Sequence, residues 1–388
     1  MKNLFKAIGL LAATVLLTAG LLWLDPFALV SAVLDAAFGA APTWTQVSNL
    51  AEDPRIQEVS HGDHPLGALK QLENYWQTKP GAPKVVLIGN SQMLEMSLAP
   101  DERPTAIAEH TYPDLVASHF AEHGVLTYRL AAPGMSYSEA LWYLDYLRVH
   151  PALRPSALVL QVNYQAFWNG AIRDSLLEML ADPSFRAQID AEAQSSEPNA
   201  IDFQNALKQF DERQAHASTP AVAHGFGARL EDIVRAPLQS SAFERQRAHV
   251  KQSFEQMLYR GRLYVLHVKP SNARSIAGPR LTRSQASLQA IARASAEANI
   301  RLVLFTAPLN PRVSLYASSE DRQRFQQFLD DFAAKYDLHL FDLERSVDAD
   351  LWGRQFNSPD PLHMGRKAHR LVADRMVKIV DAVLYSKG

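Results

Sequence analysis

The stretch VVLIGNSQMLEMSL, from Val85 to Leu98, combines an apolar run, a glycine and a short polar group. A short apolar run that ends at turn residues is typical of a buried parallel strand. Ligands bind at the carboxyl ends of such strands, and Gly89 allows a tight turn there. Ser91 is therefore a candidate nucleophile. A purely structural role is the alternative, because Asn and Ser are preferred residues at the start of a helix.

Four more segments of the same character follow, and together the five predict a parallel sheet. The predicted strands are Lys84–Gly89, Val125–Leu130, Ala157–Val162, Arg301–Thr306 and Leu338–Leu343. Segments with helical periodicity separate them, and an amphipathic helix is predicted over 364–384. This alternation predicts an α/β fold with a doubly wound parallel sheet. A helix directly after the first strand is expected to direct its N–H groups at Ser91.

Residues 165–285 interrupt this alternation. They are polar and helix-prone, and they predict a mainly helical insertion in a domain that spans 84–388. The insertion is expected to be a lid, a substrate platform or a partner surface, or else a helical elaboration without direct chemistry. Its Gln-, Ala- and Ser-rich stretch 187–219 is predicted to be a flexible loop. Residues 25–83 are expected to form a tether and a lead-in helix.

The N-terminus carries Lys2 and Lys6 ahead of an uncharged apolar run from Ala7 to Leu24. The run is just within the length range of a transmembrane helix. Lysines on its N-terminal side favour a cytoplasmic N-terminus, with the rest of the chain translocated. We therefore expect a single-pass anchor over residues 1–24 in the inner (cytoplasmic) membrane, and a domain in the periplasm or exterior. A cleaved signal peptide and a buried soluble helix are the alternatives.

Composition narrows the function classes. The chain has 388 residues, of which 47% are apolar, and a formal net charge of −2. That apolar fraction allows a large core, while the charge argues against a general electrostatic nucleic-acid binder. The sequence has no cysteine, which excludes disulfides, thiolate nucleophiles and cysteine metal sites. The lack of thiols also suits an oxidising envelope compartment. No cofactor is predicted.

Near the C-terminus, the sequence FNSPDPLHMGRKAHR places Asp360 three residues before His363. An aspartate at this spacing can accept a hydrogen bond from one imidazole nitrogen. The other nitrogen is then free to take a proton from a serine hydroxyl. The structural alternative is a helix cap at Asp360 with His363 in the first turn. Together with Ser91, the two residues predict a catalytic triad.

Two further residues are candidate oxyanion donors, because each follows a predicted strand. Gly134 lies in the loop after the second strand, and Asn163 lies at the end of the third. The Gly134 N–H and the Asn163 amide would then face the same sheet edge as Ser91. The alternatives are that Gly134 serves only a turn and that Asn163 caps the next segment.

These residues resemble the four sequence blocks of the SGNH (GDSL-like) hydrolase superfamily. The blocks would be Gly89-Asn90-Ser91, the loop with Gly134, the strand end at Asn163, and Asp360-Pro361-Leu362-His363. The resemblance implies a flavodoxin-like three-layer sandwich, with Ser91 as nucleophile, His363 as base and Asp360 as the residue that orients the base. It also implies an oxyanion hole formed by the Ser91 N–H, the Gly134 N–H and Asn163.

The sequence departs from the family pattern in three blocks. The first block has Gly-Asn-Ser-Gln where the family has Gly-Asp-Ser. The second has Ala131-Ala132 in place of an Asn near the glycine, and the third has Gln161-Val162-Asn163-Tyr164 in place of Gly-x-Asn-Asp. The resemblance therefore depends more on the Ser, Asp and His than on the two oxyanion candidates.

With its N-terminal anchor, the chain is similar to membrane-anchored members of the superfamily, the DltD and alginate O-acetylation (AlgJ/AlgX-like) proteins. This similarity implies Ser-dependent acyl transfer or deacylation, by an O-acetyltransferase or esterase, on a cell-surface polysaccharide. The implied partners are an acyl donor, an envelope glycan and a membrane-bound O-acyltransferase. One alternative is a catalytically weak SGNH scaffold that binds such a partner or a glycan. Another is a general periplasmic esterase or lipase.

Aromatic residues follow Asn163 along the chain. Tyr164 and Trp168, with Phe167 between them, could form a wall that stacks on a sugar. Packing in the core is the alternative for such a cluster.

Two other pairs of polar residues are candidate binding groups. Asn310 and Arg312 follow the fourth predicted strand, where Arg312 could hold a carboxylate or phosphate of a substrate or make a surface ion pair. His61 and His64 are spaced like metal ligands, although a surface loop explains them as well. We predict no metal site.

Overall fold

A computed structural model describes residues 45–46, 58–59, 65–96, 111–168, 171–218, 277–312, 318–355 and 358–385. Contacts within the chain divide it into two units. One unit comprises 42–216 and 271–388. The other comprises 1–41 and 217–270, and it lies outside the described residues apart from 217–218 at the end of a helix.

The first unit contains a six-stranded parallel sheet. The described strands are β1 (Thr45–Gln46), β2 (Glu58–Val59), β3 (Lys84–Gly89), β4 (Glu95–Met96), β5 (Leu126–Ala131), β6 (Ala157–Val162), β7 (Arg301–Thr306), β8 (His339–Asp342), β9 (Trp352–Gln355) and β10 (Ser358–Met364). The sheet order is β2-β5-β3-β6-β7-β8, and each neighbouring pair is parallel. Apart from the two-residue β2, this is the 2-1-3-4-5 order of doubly wound, flavodoxin-like sheets. The predicted doubly wound parallel sheet is therefore confirmed.

Helices cover both faces of this sheet. The described α-helices are α1 (Pro65–Gln77), α2 (Tyr112–Glu122), α3 (Tyr137–Val149), α4 (Pro183–Ala193), α5 (Ala200–Ser218), α6 (Pro279–Glu297), α7 (Ser319–Tyr336) and α8 (Arg366–Tyr385). Side chains of Val86 and Ile88 join a core with α1 and α3 to α7. Side chains of Val85 and Leu87 join a second core with α2 and α8. Because successive strand residues point to opposite faces, β3 contributes to both cores and is buried throughout.

The predicted strand bounds agree closely with the structure. β3, β6 and β7 have the predicted bounds, while β5 and β8 differ at their ends by one residue. The final helix begins at Arg366 rather than at residue 364, because Met364 is the last residue of β10. α1 lies where the lead-in helix is predicted.

The prediction of a flexible loop over 187–219 is wrong, because α4 and α5 occupy most of this stretch. Phe185 of α4 and Phe203 of α5 pack against Trp142 of α3, with ring centroids 5.1 and 6.2 Å apart. The polar residues that suggested a loop lie mainly on the outer faces of the two helices, while the aromatic residues bury the inner faces. This described part of the insertion therefore thickens one helical layer.

No helix in the part of the chain that the structure describes is both long and apolar enough to cross a bilayer. The expected anchor over 1–24 lies outside the described residues, as does most of the tether before α1.

Candidate active site

Ser91 lies just after the carboxyl end of β3, in a turn that hydrogen bonds of its neighbouring residues stabilise. Asn90 has an extended backbone, and its Oδ1 accepts a hydrogen bond from the Gln92 N–H at 3.0 Å. Ser91 then begins a 3₁₀ helix over Ser91–Met93. Ser91 itself is half-buried at the edge of the sheet.

The helix predicted directly after β3 is absent from that place, where the structure has the single turn Ser91–Met93. β4 follows this turn, and the next helix among the described residues, α2, begins at Tyr112. One turn aligns too few peptide units to produce the dipole of a helix terminus. An oxyanion at Ser91, if one forms, would therefore be stabilised by individual N–H groups rather than by a helix dipole.

His363 contacts Ser91 although 272 residues separate the two in sequence. It belongs to β10, which pairs antiparallel with β9 and precedes α8. Its Nε2 lies 3.1 Å from Ser91 Oγ, which is hydrogen-bond distance. For Nε2 to accept the serine proton, the imidazole must carry its own proton on Nδ1. The structure thus brings the predicted nucleophile and base together.

Asp360 also lies in β10, but its side chain falls outside the described residues. The backbone excludes the helix-cap alternative, because Asp360 and His363 both belong to a strand and α8 begins only at Arg366. The register with β9 shifts between Pro359 and Met364, so the regular alternation of an ideal strand is broken here. The orienting role of Asp360 stays a prediction.

Asn163 directly follows β6, and hydrogen bonds hold both its backbone and its side chain. Its Oδ1 accepts from the Ala166 N–H at 2.9 Å, so it does cap the next segment. The Tyr137 hydroxyl lies 3.2 Å from its N–H and 3.1 Å from its carbonyl oxygen. Burial raises the pKa of this phenol, which keeps the hydroxyl proton available for the carbonyl. Because the cap uses only Oδ1, the Nδ2 of Asn163 remains as a donor.

Ser91 and Asn163 follow adjacent strands of the sheet. β3 and β6 are neighbours in the sheet, and the chain reverses its winding direction between them. Ligands of doubly wound sheets bind in the crevice at such a switch point. Ser91 after β3 and Asn163 after β6 therefore flank the expected binding crevice.

Gly134 lies in the loop after β5 and has a φ of +62°. A left-handed backbone favours glycine, so the turn alone is enough to account for this residue. The same loop closes with a hydrogen bond from the Met135 N–H to the Ala132 carbonyl at 3.0 Å. The role of the Gly134 N–H as an oxyanion donor stays a prediction.

Two glutamines, which in the sequence stood out only as departures from the family blocks, bond to each other behind Ser91. Gln161 Nε2 donates to Gln92 Oε1 at 2.7 Å, and Gln161 Oε1 accepts from the Asn90 N–H at 2.8 Å. Gln92 Nε2 donates to the carbonyls of Pro308 and Leu362, both at 2.8 Å. The signal was present in β6, ALVLQV, because a lone glutamine in a buried strand requires partners.

A buried ion pair supports the same turn from the side of β5. Arg129 Nη1 donates to the Met93 carbonyl at 2.8 Å and to Thr111 Oγ1 at 2.9 Å. It also lies 3.0 Å from Asp114 Oδ1. Buried charges are stable only when such partners satisfy them. The pair therefore fixes the carbonyl at the end of the turn that carries Ser91.

A cavity of about 490 Å³ lies at the carboxyl ends of β6, β7 and β8. Ser91 and His363 are not among its lining residues, but their chain neighbours Asn90, Gln92 and Leu362 are. Asn163 lines it as well. The cavity therefore adjoins the Ser–His pair. Its lining on α7 includes Arg322, Gln323, Phe325 and Gln326.

The aromatic residues after Asn163 separate into different environments. Tyr164 lines the cavity, with its ring edge-on to Phe325 of α7 at 5.7 Å. Phe167 is buried and packs against Tyr137 and Phe325 at 4.9 and 5.5 Å, so it belongs to the core. The side chain of Trp168 lies outside the described residues.

The remaining polar candidates are not placed at this cavity. Asn310 is buried and its Oδ1 accepts from the Arg312 N–H at 2.9 Å, which shapes the loop after β7. The Arg312 side chain is exposed, and neither residue lines the cavity. His61 and His64 lie outside the described residues. Over the part of the chain with described side chains, no cluster of three His, Cys, Asp or Glu could hold a metal ion.

Fold and site together define a doubly wound α/β protein with a Ser–His pair at the carboxyl edge of its sheet. No model of a known protein family matches the chain. No curated protein matches it either.

Several solved structures match this chain at low identity. An acetyl xylan esterase, AlAXEase, has 13% identity and a TM-score of 0.35, covering 76% of this chain and 99% of that chain. A candidate lipolytic protein of the G-D-S-L family from Desulfitobacterium hafniense DCB-2 has 9% identity and a TM-score of 0.32, covering 76% and 98%. The carbohydrate acetylesterase Est24 from Sinorhizobium meliloti has 10% identity and a TM-score of 0.31, covering 78% and 99%. Such values do not define a function, which must be argued from the residues of the site.

Gly89→Ala is expected to destabilise the site. An added Cβ would lie 2.4 Å from Gln161 Oε1 and 2.5 Å from Met93 Cε. The methionine can move, but the glutamine is held by its hydrogen bonds to Asn90 and Gln92. We expect a loss of about 1–3 kcal/mol in the free energy of unfolding, measured by urea denaturation.

The matched control is Gly81→Ala, because an added Cβ there meets nothing within 4 Å. Equal stability of the two variants would contradict the close approach of Gln161 to β3.

Proposed function

We propose that the chain is a Ser-dependent esterase or O-acyltransferase, with Ser91 as nucleophile and His363 as general base. The observation that carries the proposal is the 3.1 Å contact between Ser91 Oγ and His363 Nε2. A hydroxyl within hydrogen-bond reach of an imidazole nitrogen, at an edge where ligands bind, is the arrangement of an activated serine. Ser91 is also only half-buried, so part of the residue remains at the surface.

In the proposed reaction, Ser91 Oγ attacks the carbonyl carbon of an ester while its proton passes to His363 Nε2. The bond to the leaving alcohol then breaks, and His363 returns the proton to that alcohol. Water or a sugar hydroxyl attacks the resulting acyl-enzyme and gives its proton to His363. Ser91 Oγ leaves and takes this proton back. Attack by water is deacylation, and attack by a sugar hydroxyl is acyl transfer.

Asp360 completes the proposed triad. A carboxylate that accepts a hydrogen bond from the Nδ1–H of His363 would keep Nε2 free for the serine proton. In a regular strand, residues three apart point to opposite faces, but the shift in register between Pro359 and Met364 breaks this alternation.

The developing oxyanion would be stabilised by individual N–H groups rather than by a helix terminus. We propose the Ser91 N–H, the Gly134 N–H and the Asn163 Nδ2. The first N–H of a helical turn has no acceptor within that turn, which supports the choice of Ser91. The Asn163 cap uses Oδ1 alone, which supports the choice of its Nδ2.

We propose an acylated carbohydrate as the substrate. The lining of the cavity beside Ser91 includes the carboxamides of Gln323, Gln326 and Asn163. Carboxamides can donate to and accept from sugar hydroxyls. Arg322 and Glu344 in the lining pair with each other at 2.6 Å, so this pair adds no net charge.

We further propose that residues 1–24 anchor the domain in the inner membrane, with the site in the periplasm or exterior. The apolar run after Lys2 and Lys6 supports this location. There, an envelope glycan would be within reach of Ser91, and a membrane-bound O-acyltransferase could supply the acyl group. This is the arrangement implied by the similarity to the DltD and alginate O-acetylation proteins.

The alternative of a catalytically weak scaffold predicts a buried or misaligned Ser91. Its partial exposure and its contact with His363 favour catalysis over that alternative.

A fluorophosphonate probe is expected to label the full-length chain in detergent at Ser91, because His363 activates the hydroxyl for attack on phosphorus. Ser91→Ala should abolish labelling, and His363→Ala should reduce it to near background. Labelling is measured by in-gel fluorescence, and circular dichroism checks that each variant is folded. A folded wild-type protein that the probe does not label would contradict the proposed activity.

Asn163→Asp separates the two roles of Asn163. Aspartate keeps an oxygen for the Ala166 N–H but replaces the Nδ2 donor with an acceptor. We expect kcat for 4-nitrophenyl acetate to fall on the order of 10²–10³-fold in this variant and in Asn163→Ala. The alanine variant should also lose stability. Full activity of Asn163→Asp would remove this residue from the oxyanion hole.

Deletion of residues 1–24 is expected to release the chain from membranes. The full-length chain should pellet with the membrane fraction and resist extraction at alkaline pH, because its apolar run is long enough to be buried in lipid. A full-length chain found in the soluble fraction would contradict the anchor. A mature chain shortened at its N-terminus would show a cleaved signal peptide instead.

A further inference from the structure

We infer that Gln92 and Gln161 are positioning residues, which together hold Ser91 against His363. The inference rests on the proposed function and identifies what aligns its two reacting side chains.

The two glutamines form one hydrogen-bonded chain across the site. It starts at the Asn90 N–H, which donates to Gln161 Oε1, and continues from Gln161 Nε2 to Gln92 Oε1. It ends where Gln92 Nε2 donates to the carbonyls of Leu362 and Pro308. Asn90 is the residue before Ser91, and Leu362 is the residue before His363. The chain therefore connects the backbone beside the nucleophile to the backbone beside the base.

Hydrogen bonding fixes the orientation of both carboxamides. Gln92 and Gln161 are 1% and 2% exposed, so losing a partner would leave a polar group largely buried and unsatisfied. Gln92 Nε2 faces two carbonyls, which only a donor can satisfy. Its Oε1 must then face Gln161 Nε2, and Gln161 Oε1 must face the Asn90 N–H. Every side-chain polar atom of the pair is used, and neither amide can flip without leaving buried groups unpaired.

This link matters because the sheet itself does not join Ser91 to His363. Ser91 follows β3 of the six-stranded sheet, whereas His363 belongs to β10, which among the described strands pairs with β9 alone. Strand pairing thus leaves the relative position of the two elements open. Gln92 spans this gap with its bond to the Leu362 carbonyl. An error of about 1 Å in the placement of reacting groups can cost on the order of 10²-fold in rate.

Gly89 leaves space for the hydrogen bonds of Gln161. Gly89 has no side chain, and a Cβ there would lie 2.4 Å from Gln161 Oε1. The glycine therefore lets the carboxamide of β6 reach the backbone beside Ser91.

The test compares Gln92→Met, Gln161→Met and the double variant in the full-length chain. Methionine keeps the length of the side chain but removes its hydrogen bonds. We expect each single variant to lower kcat for 4-nitrophenyl acetate on the order of 10–100-fold, with KM little changed. The rate of fluorophosphonate labelling should fall in parallel. Because the residues act as one chain, the double variant should be no slower than the slower single variant.

The control is Gln204→Met in α5, which removes a hydrogen bond from Gln204 Nε2 to the Ala193 carbonyl at 2.7 Å. It should lower neither kcat nor the labelling rate. If Gln161→Met does not fold, Gln161→Glu replaces it. Glutamate has the same shape and keeps the acceptor for Asn90, but it loses the donor to Gln92, so kcat should still fall.

The outcomes separate this inference from the proposed function. Reduced thermal stability with an unchanged kcat in the Gln92 and Gln161 variants would show a merely structural role and overturn the inference alone. Additive losses of kcat in the double variant would show that the two glutamines act independently, and so would overturn the inferred hydrogen-bonded connection. Folded wild-type protein that the probe does not label would overturn both proposals. A lower kcat at constant KM, with no further loss in the double variant, supports the positioning role.

Discussion

The close approach of β6 to β3 at Gly89 is the constraint on which the site depends. A side chain on that residue would occupy the space of the Gln161 carboxamide. Without this carboxamide, the Asn90 N–H would lose its acceptor, and Gln92 Oε1 would lose its donor. A single missing methyl group therefore allows the hydrogen bonds that organise the residues on both sides of Ser91. The parallel register of the two strands brings these atoms level with each other.

Much of the fold could be predicted from the sequence because its signals are local. Buried parallel strands are continuous apolar runs, and β3, β6 and β7 were bounded correctly on that basis alone. Ser91 and His363 could be paired because each stands next to a recognisable strand or helix. The prediction of a loop over 187–219 was wrong because buried aromatic residues at helical spacing, rather than the polar composition, decide the structure of this stretch. Composition reports the exposed face of such a helix, whereas packing depends on the buried one.

The parts of the site that could not be predicted are the interactions between distant segments. Nothing local in the sequence shows that Gln161 meets Gln92, or that Arg129 bonds the Met93 carbonyl. Each was visible only as a polar residue in an apolar strand, which signals that partners exist but not which ones. The helix expected after β3 failed for a related reason. Asn90 caps a turn of only three residues, because the chain continues into β4.

The 272 residues between Ser91 and His363 have a consequence for how the protein becomes active. Contacts of such long separation form late, after the entropy of closing a large loop has been overcome. β3, β5 and β6 can pair with one another before β10 exists, so the serine is in place while its base is still unfolded or unsynthesised. An N-terminal fragment that ends before β10 therefore lacks the imidazole that contacts Ser91 Oγ in the complete fold. In the proposed mechanism, the Ser91 hydroxyl would become reactive only once β10 has docked.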